Sequence, residues 1–290
     1  MKTRYHALRV FAPIIGRMSW LSYPAATTIG SLAWYVSPSH RRHLLRNVVP
    51  FSDGDRARAI TSARRAYRNI ARSWVDVATL PHRDMPNFAP DHLTIVNGER
   101  LAVIEQPGPV IVVSAHMGNA ELALQALTVR GRSFVALVEK VQPPKLGEYL
   151  LRMRQTGGGQ FELADFKGIR ACLEALRSGG TVAIMADRDI QGNGICASLG
   201  GRPVKLPRGP WELARKTGAT VLPVFATRLH KDHFVLEVEE PFKVGCANAD
   251  ADVDVRAAVD RWALVLEAQL RRHPGQWIVL EDFWRAHRCG

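Results

Sequence analysis

Residues 109–121 read Pro109-Val110-Ile111-Val112-Val113-Ser114-Ala115-His116-Met117-Gly118-Asn119-Ala120-Glu121. A short, uninterrupted, β-branched run entered from Gly-Pro is the pattern of a strand covered on both faces, because a strand with one wet face would alternate apolar and polar residues. Polar groups gather where that run ends, Gly118 permits a tight turn, and helix-forming residues follow from Asn119. Residues 181–186 repeat the arrangement: an apolar strand, Thr-Val-Ala-Ile-Met-Ala, opens onto Asp187-Arg188-Asp189. In open α/β sheets ligands bind beyond the carboxyl ends of the strands, so the residues after these two runs are the first candidates for a site.

Outward from there, strands and helices alternate. Strands are expected at 92–96, 133–138, 160–163, 220–228 and 234–239, and helices at 99–105, 119–130, 146–155, 167–177, 207–217 and 252–272. Gly179-Gly180, Gly218 and Pro274-Gly275 close three of the helices. This predicts an α/β domain over 85–290 with a mixed, largely parallel sheet covered by helices on both faces. No internal repeat or low-complexity tract interrupts it.

The first 84 residues differ in character. Of the chain's net charge of +12, +10 falls there, from 14 Lys/Arg against 4 Asp/Glu. Residues 18–36 (MSWLSYPAATTIGSLAWYV) carry no charge and include Trp20, Tyr23, Trp34 and Tyr35, types that favour the membrane interface. Pro24, Gly30 and the hydroxyl side chains make the segment too polar for a typical span, so the expectation is a pair of helices lying on or dipping into the interface. Ser37 or Ser39 then caps a basic helix, and Ser52 or Asp53 starts an amphipathic one reaching about residue 80. The outer face of that second helix carries Arg56, Arg58, Arg64, Arg65, Arg68 and Arg72. So many unbalanced arginines point to a polyanionic neighbour. An anionic lipid surface fits better than nucleic acid, for which no reading motif is present. Pro81, Pro86 and Pro90 end this helical, basic, membrane-associating region.

The remaining composition excludes several classes. With 47% hydrophobic and 23% charged residues the chain is globular rather than disordered, collagenous or coiled-coil. Cys172, Cys196, Cys246 and Cys289 make no CxxC pair or zinc knuckle, which reads as a reducing compartment without a disulfide framework. No G-x-S-x-G is present and no cysteine stands at a strand exit, so covalent catalysis finds no nucleophile.

The candidate chemistry is acid–base. Glu121, one turn into the helix after His116, is placed to hold one ring nitrogen of the imidazole and leave the other as a free base. Asp187, Arg188 and Asp189 are expected on the same rim, to hold the head of a substrate or to support the catalytic pair from its other side. No His or further acid beside them completes a metal shell, so no metal is expected.

These blocks resemble the bacterial lipid A biosynthesis acyltransferase family, a branch of the glycerolipid acyltransferases that includes phosphatidylinositol mannoside acyltransferases. IVVSAHMGNAELA supplies the family's H-x4-D/E signature at His116 and Glu121. MADRDIQGNGICASLGGRPVKLPRGPWELARKTGATVLPVF supplies its aspartate-bearing loop and Pro-x-Gly-Pro helix start, and HPGQWIVLEDFW matches near the end. SPSHRRHLLRNV resembles elements that follow the family's membrane anchor. Two departures bear on the substrate pocket: Ser198-Leu199-Gly200-Gly201 replaces a common Phe-Phe-Gly, and Ala120 stands where Trp is frequent.

The resemblance implies direct acyl transfer from acyl-CoA or acyl carrier protein to a hydroxyl of a membrane glycolipid, a lipid A precursor or a phosphatidylinositol mannoside type. The Asp-Arg-Asp block leans toward the mannoside type. His116 would serve as general base, with Arg154 or backbone amides near Gly118 steadying the oxyanion, or Arg154 gripping a phosphate. It further implies no cofactor beyond the thioester co-substrate, contact with anionic membrane lipids, and a place on the cytoplasmic face of the bacterial inner membrane. A non-catalytic lipid-binding protein on the same fold is the alternative.

Overall fold

The computed structural model describes residues 12, 14–125, 131–156, 158–245 and 250–290. The named elements open with helices α1 (Ser19–Val36), α2 (Pro38–Val48), α3 (Arg56–Thr79) and α4 (Met85–His92), then strand β1 (Leu93–Val96) and helix α5 (Ala102–Glu105). The core continues with β2 (Val110–Ser114), α6 (Ala120–Gln125), β3 (Phe134–Val138), α7 (Pro144–Gln155), β4 (Gln160–Leu163), α8 (Phe166–Arg177) and β5 (Thr181–Met185). There follow β6 (Ile195–Leu199), β7 (Arg202–Leu206), α9 (Gly209–Thr217), β8 (Thr220–His230), β9 (His233–Val238), β10 (Phe242–Lys243), α10 (Ala251–Arg272) and α11 (Phe283–Ala286). The helix expected over 119–130 is described as far as Gln125; residues 126–130, like Cys246, lie outside the described residues.

The main sheet has the order β1-β9-β8-β2-β5-β3-β4, with β10 paired to β8. From β8 to β4 the neighbours run parallel, β9 is antiparallel to β8, and β1 is parallel to β9. Strand alternation sends β2 side chains to two different layers. Ile111 and Val113 enter the larger core with Val182, Trp211 and Trp262, while Val110 and Val112 enter a second with Phe134, Phe161 and Leu222. Coverage of both faces is why the strand reads as a continuous apolar run.

The N-terminal helices are packed onto this core. Asp76 on α3 forms a fully buried ion pair with Arg228 on β8, and Tyr23 on α1 donates to Asp76 Oδ1 at 2.6 Å. Removing one partner of such a pair strands the other charge in the interior. Trp34 meets Tyr67 edge-on at 6.4 Å. A Cβ at Gly30 would stand 2.9 Å from the Cα of Arg68, so the α1–α3 crossing needs a glycine there.

Several expectations are corrected. Residues 19–36 form one helix that carries Pro24 rather than a pair of helices, and no described helix is long and apolar enough to cross a membrane. The cap of α3 is Asp55, which accepts from the Ala57 and Arg58 amides, instead of Ser52 or Asp53. Pro86 and Pro90 sit in α4, where Pro86 occupies the first turn and costs no helical hydrogen bond. The Arg row on α3 is only partly solvated: Arg72 is half-buried and donates to Thr27 Oγ1 at 2.8 Å, and Arg65 donates to the Arg228 carbonyl at 3.3 Å.

The expectation of no disulfide is overturned by Cys196–Cys289, whose Cα atoms lie 5.9 Å apart across a sequence separation of 93. The β-bridge between Val204 and Arg288 brings the chain end onto the β6–β7 hairpin, a closure that residue spacing does not reveal. Cys172 is buried and free, and burial pushes its thiol up to about 12, which leaves it inert as a nucleophile.

Candidate active site

His116 leaves β2 at the sheet's carboxyl edge and Asp187 leaves the adjacent β5 at the same level. Asp187 is fully buried and its carboxylate is used three times. Oδ1 lies 2.7 Å from His116 Nδ1, and Oδ2 accepts from the His116 backbone amide at 3.1 Å and from the Trp277 indole at 2.9 Å. Burial pushes the Asp187 carboxyl up, but the His116 charge and these donors outweigh it and hold it at about 2. An ionised Asp187 can only accept, so His116 Nδ1 carries a proton, and whenever the ring is neutral Nε2 is its lone pair. Nε2 has no hydrogen-bond partner among the described residues, and His116 lines the cavity described below.

The strand exit is locked by the block HPGQWIVLEDFW. Gly118 donates to the Gln276 carbonyl at 3.0 Å, Ile278 donates to the His116 carbonyl at 2.8 Å, and Met117 bridges Trp277. Gly118 sits at φ +53°, and a Cβ there would fall 2.3 Å from the Ala226 carbonyl oxygen. Both facts require glycine. Trp262 donates to the Ala186 carbonyl at 2.8 Å and fixes the residue before Asp187.

Glu121 does not orient His116. Both its oxygens accept from Arg154 Nε at 2.9 Å, and the carboxylate that meets the His116 ring is that of Asp187, which stands across the sheet rather than one turn along the chain. Arg154 thus has its Nε fixed while its terminal nitrogens have no hydrogen bond among the described residues. Of the backbone amides near Gly118 expected as oxyanion donors, that of Gly118 itself is already engaged by the Gln276 carbonyl. Asp187 lies beneath His116, so it supports the ring and is closed to an acceptor. Arg188 bridges Glu139 at 2.9 Å and Glu281 at 2.7 Å, and the Asp189 carboxylate accepts from the Gly192 and Gly194 amides. Asp189 therefore shapes its own loop.

From this polar edge a cavity of about 720 Å³ runs inward, with His116, Glu121, Arg154 and Arg188 at one part and Leu101, Val112, Leu124, Phe161, Ala183 and Val238 along another. An apolar cavity of this size with a few convergent polar groups is the usual form of a small-molecule site. Ala120 lines it, as expected. Ser198-Leu199-Gly200-Gly201 does not: Gly200 and Gly201, at φ +57° and +71°, form the two-residue turn of the β6–β7 hairpin against Pro50 and Phe51. A Gly-Gly pair between strands is a hairpin signal that could have been read from sequence.

Sequence comparison identifies the chemistry as acyl transfer: the profile of the bacterial lipid A biosynthesis acyltransferases matches residues 9–286. The chain belongs to that family and is an acyltransferase. It is 27% identical over 225 residues to a phosphatidylinositol mannoside acyltransferase of Mycobacterium tuberculosis (strain CDC 1551 / Oshkosh), covering 75% of this chain and 68% of that one. It is 24% identical over 229 residues to the enzyme of the same name from Mycolicibacterium smegmatis, covering 77% and 72%. Among solved structures, the 1-acyl-sn-glycerophosphate acyltransferase PlsC of Thermotoga maritima superimposes with a TM-score of 0.39 at 18% identity, over 85% of this chain and 98% of that one.

Proposed function

We propose that this acyltransferase carries a fatty acyl group from a thioester, acyl-CoA or acyl carrier protein, to a hydroxyl of a membrane glycolipid of the phosphatidylinositol mannoside type. The observation that carries the reading is the His116–Asp187 pair at the polar edge of an apolar cavity. His116 Nε2 takes the acceptor hydroxyl's proton as its oxygen attacks the thioester carbonyl. The C–O ester bond forms, the C–S bond breaks, and the proton passes from the imidazolium to the departing thiolate. Arg154, held by Glu121, presents its terminal N–H groups to the oxyanion or to a phosphate of the substrate.

The acceptor is supported by the two relatives' names and by the arginines of α3. Burial lowers the Arg72 guanidinium, and Arg228, Arg68 and Arg65 beside it lower it further, a concentration of positive charge that a phosphorylated headgroup would relieve. Membrane contact is supported by α1, where Trp20, Leu21, Ile29, Leu32, Tyr35 and Val36 are exposed. With the basic α2 behind it, this surface suits the headgroup layer on the cytoplasmic face of the inner membrane.

The test is release of free thiol from acyl-CoA, or from acyl carrier protein in a parallel arm, with and without a phosphatidylinositol mannoside acceptor. Acceptor-dependent thiol release with an acylated glycolipid product is the expected result. Thiol release indifferent to that acceptor, or stimulated by a lipid A precursor alone, would overturn the assignment.

A further inference from the structure

Away from the cavity, three side chains that no part of the acyl-transfer chemistry uses converge where α4 meets the turn between β8 and β9. They are His92, the last residue of α4, Asp232 on the turn, and His233, the first residue of β9. One ligand-type atom from each lies within 4.8 Å of the other two, and all three residues are half-buried. His92 Nε2 stands 3.6 Å from Asp232 Oδ2, and His233 Nδ1 stands 3.4 Å from Asp232 Oδ1. These separations are long for hydrogen bonds but close to the edge of a tetrahedron whose bonds are about 2.0–2.2 Å, the lengths of zinc to imidazole nitrogen and carboxylate oxygen.

The protonation pattern points the same way. His92 Nδ1 lies 3.1 Å from the Phe88 carbonyl, which can only accept, so Nδ1 carries the hydrogen. In the neutral ring, Nε2 is therefore a lone pair aimed at a carboxylate. That backbone contact is the kind that fixes the tautomer and ring orientation of metal-ligating histidines. Stacking of the His92 ring on Phe88, centroids 4.1 Å apart and planes 12° apart, holds it further. His233 Nδ1 is buried without a hydrogen-bond partner. In the tautomer that leaves His233 Nδ1 unprotonated, three acceptors face one another, which makes a site for a cation.

We propose that His92, Asp232 and His233 bind one divalent transition-metal ion of the zinc type, which clips the end of the N-terminal helical layer to the β8–β9 turn. Two imidazoles and a carboxylate suit zinc over magnesium or calcium, whose shells are built of oxygens. The turn is braced from below, since Arg228 donates to the Lys231 carbonyl. His230, with its ring centroid 4.3 Å from that of His233, is the nearest further imidazole for a fourth position. Sequence reading could not find the cluster, because His92 lies 140 residues before Asp232 and no ligand spacing links them.

The test uses the full chain, freed of any affinity tag, stripped with chelator and dialysed. Titration with zinc chloride by calorimetry should show one equivalent bound with micromolar or tighter affinity, and cobalt substitution should give the intense visible absorption of a four-coordinate site. His92→Ala, Asp232→Asn and His233→Ala should each weaken zinc binding by at least about tenfold. Zinc should raise the Tm of the wild type and leave that of the variants unchanged. His92→Phe keeps the stack on Phe88 and lacks the ligand nitrogen, so it serves if His92→Ala fails to fold. A folded wild type that binds no zinc at micromolar concentration, or one equivalent bound undiminished by these substitutions, would overturn the proposal.

Discussion

Asp187 holds His116 from two directions, through the ring nitrogen Nδ1 at 2.7 Å and through the backbone amide at 3.1 Å. The first contact selects the tautomer, and the second fixes the position of the Cα from which the ring projects. Trp277 completes the arrangement by donating to the same carboxylate at 2.9 Å, which ties the C-terminal block to two strand exits at once. His116 is held by a residue 71 positions away in sequence, while the glutamate of the H-x4-E signature holds an arginine.

Asp187→Asn should cut turnover by about 10²–10⁴-fold. A carboxamide keeps the shape but can donate to Nδ1, which leaves Nε2 protonated and unable to act as a base. Steady-state rates alongside thermal melting check this. A variant with near-normal turnover would show that the tautomer does not matter, and one that melts far below the wild type would show a chiefly structural role.

Acid titration reads the same pair through stability. The folded carboxyl of Asp187 is depressed to about 2, below the roughly 3.9 of an unfolded aspartate, so its contribution is fully present above the higher value and is lost as pH falls through the lower one. Denaturant midpoints measured from pH 5 down to 2 should fall for the wild type, and Asp187→Asn should flatten that fall. Glu281, also held at about 2 with a hydrogen bond from His287 the largest cause, adds to the wild-type slope and persists in the variant.

Glu121 and Arg154 should behave as one unit. If the carboxylate acts by holding Arg154, then Glu121→Gln and Arg154→Ala each lower kcat/KM, and the double variant is no worse than Arg154→Ala alone. Additive losses in that cycle would give Glu121 a separate role. His116 should keep its pH profile in Glu121→Gln, since Glu121 does not touch the ring.

On α1, replacing exposed Trp20, Leu32 and Tyr35 together by Ser should reduce co-sedimentation with anionic vesicles while leaving the unfolding free energy within about 1 kcal/mol of the wild type. These side chains are 72%, 61% and 65% exposed, so little packing is lost. Deleting residues 1–37 is the poorer experiment, because Tyr23 is buried against Asp76 and its removal disturbs the Asp76–Arg228 pair. Unchanged vesicle binding by the triple variant would remove α1 from the membrane contact.

Much of this was legible in the sequence where local pattern and tertiary fate agree. The run Val110–Ser114 announces a strand buried on both faces because it is one, and His116 announces itself because it stands where that strand ends. What escaped reading depends on contacts between distant residues. Asp187 is legible as a candidate at a strand exit, yet the sequence favours the near residue Glu121 as partner of His116, because chain distance is visible and sheet adjacency is not. The role of Trp277 is invisible in the sequence, since a tryptophan's hydrogen bond to a carboxylate leaves no periodic trace. The Cys196–Cys289 closure is hidden by the same long range, whereas the β6–β7 hairpin is a local feature that its Gly200-Gly201 turn signals.

His116→Ala gives the most direct test that this pair performs the transfer. Acylation of a phosphatidylinositol mannoside acceptor, followed by product formation at neutral pH with the melting temperature measured on the same preparation, should fall by about 10²–10⁴-fold at unchanged Tm. Retention of near wild-type acylation by the folded variant would contradict general-base catalysis by His116.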